Sequence, residues 1–259
     1  MAKKKLFDIS KYSVINCDDE YGSKLNIEGR TILVSTESGD LVAEDIEIDE
    51  TGVRFTATYH GERQQFSLGI SGMFSVYNCL CAVGTAIALG IDFKTCARGI
   101  AEADGVKGRL ERVDTDTDFS VIIDYAHTPD GLENVINAVN SFKKGRCITV
   151  FGCGGDRDAT KRPIMGEIGT RLSDLAVITS DNPRTEDPSK IIDDILSGVK
   201  TGEYKVVVNR RDAIAYALSV ARKDDIVLLC GKGQETYQII GREKFDFDER
   251  IEVYRHLKK

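Results

Sequence analysis

Residues 174–189, with the sequence DLAVITSDNPRTEDPS, decide how the second half of this chain is organised. The apolar run 174–179 predicts a buried strand, and Asp187-Pro188-Ser189 is typical of the opening of a helix. Open α/β sheets bind ligands in the crevice beyond the carboxyl ends of their strands, where a strand leads into a helix. We therefore expect a ligand site in the loop between this strand and this helix.

The loop itself carries Asp181, Asn182, Pro183 and Arg184. An arginine side chain binds a carboxylate through two parallel hydrogen bonds, and an aspartate beside it can hold an ammonium group. Pro183 restricts the backbone in front of Arg184 and limits how far the loop relaxes. The pattern predicts a receptor for an amino acid. The alternative is a surface turn, because Asn-Pro is a common turn dipeptide, and only the neighbouring motifs make the receptor the better interpretation.

Composition limits the classes of function. The chain has 259 residues, a hydrophobic content of 41% and a net charge of −7, which indicates one large or two modest globular domains. The absence of a long basic block argues against nucleic acid as a partner. No apolar run approaches the ~18 residues of a membrane span, and the basic start is not followed by the apolar stretch of a signal peptide. Seven cysteines without a C-x-x-C pair are typical of buried thiols in a cytoplasmic protein.

The first half of the chain is rich in short β segments. Strands are predicted at 31–35, 41–48, 53–59 and 64–68. The last three alternate apolar and polar residues across short polar turns, which predicts a meander. Two helices are expected to follow, at 74–89 and at 93–103.

After Lys107 strands and helices alternate. Strands are predicted at 120–124, 147–151, 175–179, 205–208 and 226–230. Helices are predicted at 130–142, 162–172, 189–199 and 211–221. Apolar strands separated by amphipathic helices indicate an α/β fold with a mostly parallel sheet covered on both faces. We place a domain boundary near Lys107, which gives domains 1–107 and 108–259.

Four of these strands end in polar or glycine-rich sequence, at 124–130, 152–158, 181–184 and 231–235. Such ends on one edge of one sheet favour a binding site over a purely structural domain. The glycine-rich stretch 152–155 allows close approach of a ligand, although a plain tight turn is the alternative. Neither this stretch nor Gly231-Lys232-Gly233 is a Walker A loop, because no Gly-Lys-Ser or Gly-Lys-Thr follows at the required spacing.

Two residues of the first loop have alternative interpretations. Asp124 is expected either to cap the next helix or to accept hydrogen bonds from a ribose. His127 lies in a loop, which makes a core histidine the less favoured interpretation.

Six motifs in register resemble the Mur ligases of peptidoglycan synthesis. They are Asn78 within 74–78, then 108–113, 124–130, 151–158 with 161–163, 181–184, and 231–238. Their order and spacing are similar to the members that add the third residue of the stem peptide to UDP-N-acetylmuramoyl-L-alanyl-D-glutamate. In that family the tetrapeptide Asp-Asn-Pro-Arg marks members that add meso-2,6-diaminopimelate, whereas lysine-adding members lack the arginine. Diaminopimelate differs from lysine by one carboxylate, which suits Arg184.

The resemblance implies a set of functional residues. Those implied to bind diaminopimelate are Arg157, Asp181, Asn182, Pro183, Arg184, Gly231 and Glu235. Those implied to face ATP across the domain boundary are Asn78, Arg109, Asp124 and His127. The family reaction forms an acyl phosphate on the D-glutamate side chain, which the incoming amine attacks. Catalysis there is mainly positioning and charge neutralisation by Mg²⁺ and basic groups, so no catalytic residue and no metal ligand is expected in this chain.

The chain also departs from the family pattern. Family members are nearly twice as long, with three domains, and the uridine-nucleotide domain, the ATP phosphate loop and the carbamylated lysine have no counterpart here. Residues 2–8 resemble the interior of the central domain, so Met1 is expected to mark a truncation and the chain alone is expected to be inactive. The resemblance thus implies the latter part of the central ATPase domain at 1–107, with residues 1–70 poorly ordered or repacked, and a complete Rossmann-like C-terminal domain at 108–259. Gln234 replaces the usual family histidine and is given no catalytic role.

Two alternatives stay open. One is a related ligase, such as a folylpolyglutamate synthetase or a Mur ligase that acts on another amino acid. The other is a non-enzymatic module that binds cell-wall precursors. The expected partners are the UDP-N-acetylmuramoyl dipeptide and meso-diaminopimelate, with neither nucleic acid nor membrane insertion, and the oligomeric state is left open.

Overall fold

The structure, a computed structural model, describes residues 4–25, 27, 29–103 and 105–257. The chain divides into two compact units, Met1–Gly105 and Val106–Lys259, whereas the sequence placed a boundary near Lys107. Each unit has its own hydrophobic core.

The first unit is a five-stranded sheet with helices. Its elements are α1 (Lys4–Ile9), β1 (Tyr12–Asn16), a 3₁₀ turn (Gly22–Lys24), β2 (Arg30–Ser35), β3 (Leu41–Asp49), β4 (Gly52–Tyr59), β5 (Glu62–Leu68), α2 (Met73–Ala88) and α3 (Phe93–Ala101). The strands are ordered β1-β2-β3-β4-β5, with the first two pairings parallel and the last two antiparallel. The predicted meander is therefore present as β3-β4-β5.

The core of this unit lies between the sheet and α2. Phe55 and Phe66 stack with ring centroids 5.4 Å apart, and Phe93 of α3 lies 5.6 Å from Phe66. Valine and leucine side chains of α2 complete the cluster because they recur on one helical face. Residues 1–70 were expected to be poorly ordered or repacked. For the described residues this expectation is corrected, since one sheet is built from strands between residues 12 and 68. Of the segment 2–8 that was expected to follow a truncation, residues 2 and 3 lie outside the described residues.

The second unit contains a six-stranded sheet, a hairpin and five helices among residues 106–257. Its elements are β6 (Glu111–Val113), β7 (Ser120–Asp124), α4 (Pro129–Phe142), β8 (Cys147–Phe151), α5 (Lys161–Leu172), β9 (Leu175–Ile178), α6 (Pro188–Leu196), β10 (Tyr204–Val206), α7 (Arg210–Val220), β11 (Ile226–Cys230), β12 (Tyr237–Ile240), β13 (Glu243–Asp246) and α8 (Glu249–Leu257).

The large sheet has the order β10-β9-β8-β11-β7-β6. All pairings are parallel except β6 with β7, which confirms the expected mostly parallel α/β sheet. Every residue of β8, β9 and β11 is buried, because helices cover both faces of such a sheet. β11 follows β7, β8 and β9 in the sequence but lies between β8 and β7 in the sheet. Because these four strands are parallel, their carboxyl ends lie along one edge.

The caps of two helices settle two expectations. Asp187 begins α6 and accepts a hydrogen bond from the Ser189 amide at 2.8 Å, as the sequence predicted for a helix opening there. The cap of α4 is Thr128, which accepts from the Gly131 amide. The alternative that Asp124 caps this helix is therefore wrong.

The seven cysteines are all free thiols, five of them buried. Burial raises the pKa of Cys79 and of Cys153 to about 12, which keeps both thiols protonated at neutral pH. No helix in the described ranges is long and apolar enough to span a membrane.

Candidate functional site

Glycines let the loop after β8 contact the loop after β9. The Gly155 amide donates to the carbonyl of Asn182 at 2.9 Å, and a Cβ on Gly155 would lie 1.9 Å from the Pro183 carbonyl oxygen. A Cβ on Gly152 would lie 2.2 Å from the carbonyl oxygen of Thr179. Both glycines are thus required for backbone-to-backbone packing. The two loops form one continuous surface at the sheet edge.

Arg184 is held firmly at this surface. Its backbone has a φ of 51°, an uncommon conformation for a non-glycine residue, and is fixed by hydrogen bonds to Ile239 and from Gly241. The side chain is half-buried, and its Nη1 donates to the Gly155 carbonyl at 2.8 Å. Within the described residues, Nε and Nη2 make no hydrogen bond. One edge of the guanidinium therefore remains able to bind a carboxylate through two parallel hydrogen bonds.

Asp181 and Asn182 are buried, with 6% and 5% exposure. The Asn182 carboxamide oxygen accepts from Lys232 Nζ at 2.9 Å and from the Ile239 amide at 2.9 Å, while its nitrogen donates to Glu235 Oε2 at 3.0 Å. Asp181 Oδ1 lies 3.2 Å from Lys232 Nζ. The contacts of these two side chains join the loops to one another, which is a positioning role.

Glu235 and Arg157 complete the charged groups at the edge. Glu235 is half-buried, and its Oε2 accepts from Lys232 and Asn182, both at 3.0 Å. Its Oε1 makes no hydrogen bond to any described residue, so it remains able to accept one from a ligand. Arg157 is exposed, and its Nη1 contacts the Asp156 carbonyl at 3.4 Å. The edge thus offers two guanidinium groups and one carboxylate, a combination suited to a zwitterion.

The loop after β11 is attached to the neighbouring strand end. Gly231 has a φ of 115°, and its amide donates to the Asp124 carbonyl at 3.0 Å. Gly108 has a φ of 71°, and a Cβ there would lie 2.3 Å from the Gln234 amide nitrogen. Arg250 forms an ion pair with Glu111, whose Oε2 also accepts from the Gly108 amide. Together these contacts fix the loop that carries Glu235.

A buried arginine that the sequence did not single out supports the glycine loop. Arg162, 3% exposed, donates to Glu186 Oε1 and to Asp194 Oδ2, each at 2.8 Å, and to the Gly154 carbonyl at 3.3 Å. The Arg162 hydrogen bond lowers the pKa of Glu186, which keeps this carboxylate ionised. Arg162 belongs to the motif at 161–163 that resembles the Mur ligases, but nothing in the local sequence distinguished it from a solvent-exposed helix residue.

A second buried pair lies behind the loop after β11. Arg210 donates through Nε and Nη2 to Glu249 Oε1 at 2.9 and 2.7 Å, and both side chains are fully buried. Arg210 Nη2 also donates to the Cys230 carbonyl at 2.7 Å, at the end of β11. The two residues are 39 positions apart, so no local sequence pattern could have paired them.

Three of the residues implied to face ATP belong to the second unit. The Arg109 guanidinium lies 5.2 Å from the centre of the Tyr125 ring, and the His127 ring lies 4.6 Å from that ring. Both Arg109 and His127 are exposed, and His127 Nδ1 is 2.8 Å from the Tyr125 carbonyl oxygen. Such a cationic and aromatic surface is suited to stacking on a base or pairing with a phosphate. Asn78 is exposed on α2 in the first unit.

Asp124 has a different environment. It is 6% exposed, and its two carboxylate oxygens accept from the Leu110 and Ala126 amides, both at 2.8 Å. Burial raises the pKa of Asp124 above its ordinary value, and the two amides and Arg109 only partly offset this effect. The contacts hold the backbone next to Arg109 and His127, so Asp124 positions these two residues. Across residues 4–25, 27, 29–103 and 105–257, no cluster of three or more His, Cys, Asp or Glu side chains is arranged to hold a metal ion.

The chain thus has a β-rich unit followed by a unit with a mostly parallel α/β sheet, whose edge carries guanidinium and carboxylate groups. Two family models match the chain, the Mur ligase middle domain over residues 1–86 and the Mur ligase, glutamate ligase domain over residues 108–233. The chain belongs to the Mur ligase family, which confirms the resemblance inferred from the motifs.

Two curated relatives are named for the same activity. The chain is 48% identical to UDP-N-acetylmuramoyl-L-alanyl-D-glutamate--2,6-diaminopimelate ligase 1 of Clostridium acetobutylicum, over 100% of this chain and 55% of that protein. It is 46% identical to the corresponding ligase of Clostridium botulinum, over 98% of this chain and 53% of that protein. The chain thus spans about half the length of the curated relatives it matches.

Solved structures agree with the fold. A structure of a UDP-N-acetylmuramoyl-L-alanyl-D-glutamate--2,6-diaminopimelate ligase matches with a TM-score of 0.67 and 30% identity, over 99% of this chain and 55% of that one. The MurF ligase of Thermotoga maritima in complex with ADP matches with a TM-score of 0.68 and 17% identity, over 99% of this chain and 56% of that one. At that identity the second likeness shows the fold alone.

Proposed function

We propose that this chain supplies the amino-acid site of an ATP-dependent ligase that joins meso-2,6-diaminopimelate to UDP-N-acetylmuramoyl-L-alanyl-D-glutamate in the cytoplasm. Residues 1–107 form the latter part of the central ATP-binding domain, and residues 108–259 form the amino-acid domain. The proposal is supported by the activity of relatives that are 46–48% identical to the chain and are named as diaminopimelate ligases. It is also supported by the chemistry of the sheet edge.

One observation carries the choice of amino acid. Arg184 uses Nη1 for a hydrogen bond to the Gly155 carbonyl, which leaves Nε and Nη2 available for a ligand. Glu235 accepts hydrogen bonds from Asn182 and Lys232 through Oε2, which leaves Oε1 available. A ligand that satisfies both groups needs a carboxylate and an ammonium, and we propose that both lie at one end of it. Diaminopimelate has such an end remote from the amine that reacts, whereas the corresponding end of lysine lacks the carboxylate.

In this proposal the chain contributes by placement. Arg184 and Glu235 hold the remote carboxylate and ammonium of diaminopimelate, Arg157 lies at the exposed rim, and Gly231 and Pro183 shape the loops. Fixing one end of the ligand restricts where its other amine can reach, and such orientation accounts for much of the rate in reactions between two bound substrates. ATP, when bound, would supply the phosphoryl group that activates the γ-carboxylate of D-glutamate towards the amine, with ADP and phosphate as the leaving products.

The nucleotide side is also assigned by proposal. Arg109 and His127 provide a cationic and aromatic surface for ATP, Asp124 holds the backbone beside them, and Asn78 contributes from the first unit. Mg²⁺ is proposed for the ligase reaction, but no described residue is assigned to it because no suitable ligand cluster is present among them. The second substrate is the UDP-N-acetylmuramoyl dipeptide; nucleic acid and membrane have no role in the proposal.

The test is an NMR titration of the ¹⁵N-labelled chain with three ligands at concentrations up to the millimolar range. Meso-diaminopimelate has both remote groups, L-lysine lacks the remote carboxylate, and pimelate lacks both amines. We expect the tightest binding for meso-diaminopimelate, with shifts in the amides of Arg184 and Glu235. Equal or tighter binding of lysine would contradict the assigned substrate and favour a related ligase acting on another amino acid.

A further inference from the structure

Lys232 is a lysine whose side chain has no solvent exposure. It lies between Gly231 and Gly233, both with positive φ, directly after β11. Its Nζ lies 2.9 Å from Asn182 Oδ1, 3.0 Å from Glu235 Oε2 and 3.2 Å from Asp181 Oδ1. The ammonium donates hydrogen bonds to the Asn182 and Glu235 oxygens, whereas Asp181 Oδ1 is an ion-pair partner without hydrogen-bond geometry.

Such burial is costly unless the charge is paired. Taking an ammonium out of water costs several kcal/mol, and the cost is recovered only where good geometry and hydrogen bonds compensate it. Lys232 faces two carboxylates, Asp181 and Glu235, and the buried pair of Arg210 and Glu249 lies behind them. These five groups comprise two cations and three anions. Of these five side chains Glu235 is the most exposed, at 18%, so it is the carboxylate that an ammonium ligand can reach.

The three oxygens around Lys232 belong to two loops that the site needs in register. Asn182 and Asp181 precede Arg184 by two and three residues, and Glu235 carries the opposite charge of the proposed receptor. Without the ammonium, Asp181 and Glu235 would repel each other across a shared space. Asn182 would keep the Ile239 amide and its own hydrogen bond to Glu235 Oε2, but the charged link between the two loops through Lys232 would be lost.

We infer that Lys232 is the positioning residue of the amino-acid site. It fixes Glu235 through Oε2 and the Asp181 loop through Asn182, so that Glu235 Oε1 and the available edge of Arg184 stay at one separation. Holding the two groups in place favours a ligand that presents both an ammonium and a carboxylate to them. The inference rests on the proposed function of the site, and it assigns to Lys232 no contact with the ligand.

The test compares Lys232→Ala with the wild-type chain and with Lys190→Ala, a control on the exposed side of α6. Affinities for meso-diaminopimelate and L-lysine are measured by NMR titration, and the thermal midpoint by circular dichroism. We expect Lys232→Ala to weaken meso-diaminopimelate binding by at least about tenfold while lysine binding changes less, so that the preference between them collapses. Lys190→Ala should match the wild type.

Chemical rescue separates this role from a general loss of stability. Propylammonium replaces the atoms that Lys232→Ala removes and should restore the preference for meso-diaminopimelate, whereas propanol, which lacks the charge, should not. A folded Lys232→Ala with wild-type affinity and preference would overturn the inference, as would rescue of the thermal midpoint without rescue of the preference. Should this variant not fold, Lys232→Gln is measured instead, and a wild-type preference there would likewise overturn it. Failure of the wild-type chain to bind meso-diaminopimelate would overturn the proposed function and this inference together.

Discussion

Replacement of Arg184 tests the choice of amino acid most sharply. In Arg184→Ala the ligand loses the Nε and Nη2 edge, whereas the loops keep their backbone contact between Gly155 and Asn182. Two charge-assisted hydrogen bonds at a half-buried position contribute ~2–4 kcal/mol. That range corresponds to a loss of affinity for meso-diaminopimelate of about 30- to 700-fold.

The assay is the same NMR titration, with L-lysine as the internal comparison and Arg222→Ala as an exposed control. Lysine lacks the remote carboxylate, so its affinity should change less than about threefold, a difference below ~0.7 kcal/mol. Arg184→Lys should show an intermediate loss, because an ammonium keeps the charge without the planar fork. If Arg184→Ala binds meso-diaminopimelate as tightly as the wild-type chain, the carboxylate receptor assigned to Arg184 does not exist.

Three further outcomes are expected. Asp225 is 3% exposed and accepts hydrogen bonds from the amides of Arg146 and Arg222 and from the Arg146 guanidinium. Asp225→Asn should therefore lower the free energy of unfolding by ~2–4 kcal/mol, measured by urea titration at pH 7. Burial alone raises the pKa of Asp225, but the hydrogen bonds from Arg146 and Arg222 and the Arg146 charge together outweigh it and lower the pKa. This stabilisation is therefore present above pH ~4 and is lost as the pH falls through the lowered pKa; equal acid sensitivity of Asp225→Asn would contradict the assignment. Gly155→Ala should destabilise the chain by ~1–3 kcal/mol because its Cβ would lie 1.9 Å from the Pro183 carbonyl, whereas Gly99→Ala on α3, with open space, should be neutral or stabilising in the same thermal melts. Phosphate release by the pure chain with ATP, the nucleotide substrate and meso-diaminopimelate should stay at background, because the sequence has no counterpart of the family's ATP phosphate loop. Turnover above background would refute this prediction.

Regular apolar periodicity explains which parts of the fold the sequence predicts. The strands β7, β8, β9 and β11 are continuous apolar runs bounded by polar residues, so both their type and their ends are clear. The elements that sequence reasoning missed are short or polar: β13 is fully exposed, and α8 carries charges on several faces. Their place is determined by tertiary contacts, such as the Arg210–Glu249 pair, and not by local propensity.

The candidate site is predictable to a similar degree. Glycine and polar residues after parallel strands predicted loops that meet at one edge of the sheet, and they do meet there because strand direction alone brings those ends together. The roles of single residues were not predictable. Lys232 and Arg162 would be solvated side chains in most sequences, and only the carboxylates of distant loops bury them. Asp124 shows the reverse, since a residue expected to cap a helix or bind a ribose is occupied by two backbone amides.

A crystal structure of the chain with meso-diaminopimelate, obtained by co-crystallisation, tests the central claim most directly. The account predicts electron density for one carboxylate of the ligand on Nε and Nη2 of Arg184, with the ammonium of the same carbon on Glu235 Oε1 and Lys232 unmoved between its three oxygens. Density that places the ligand elsewhere, with the Arg184 guanidinium directed away from it, would contradict the account.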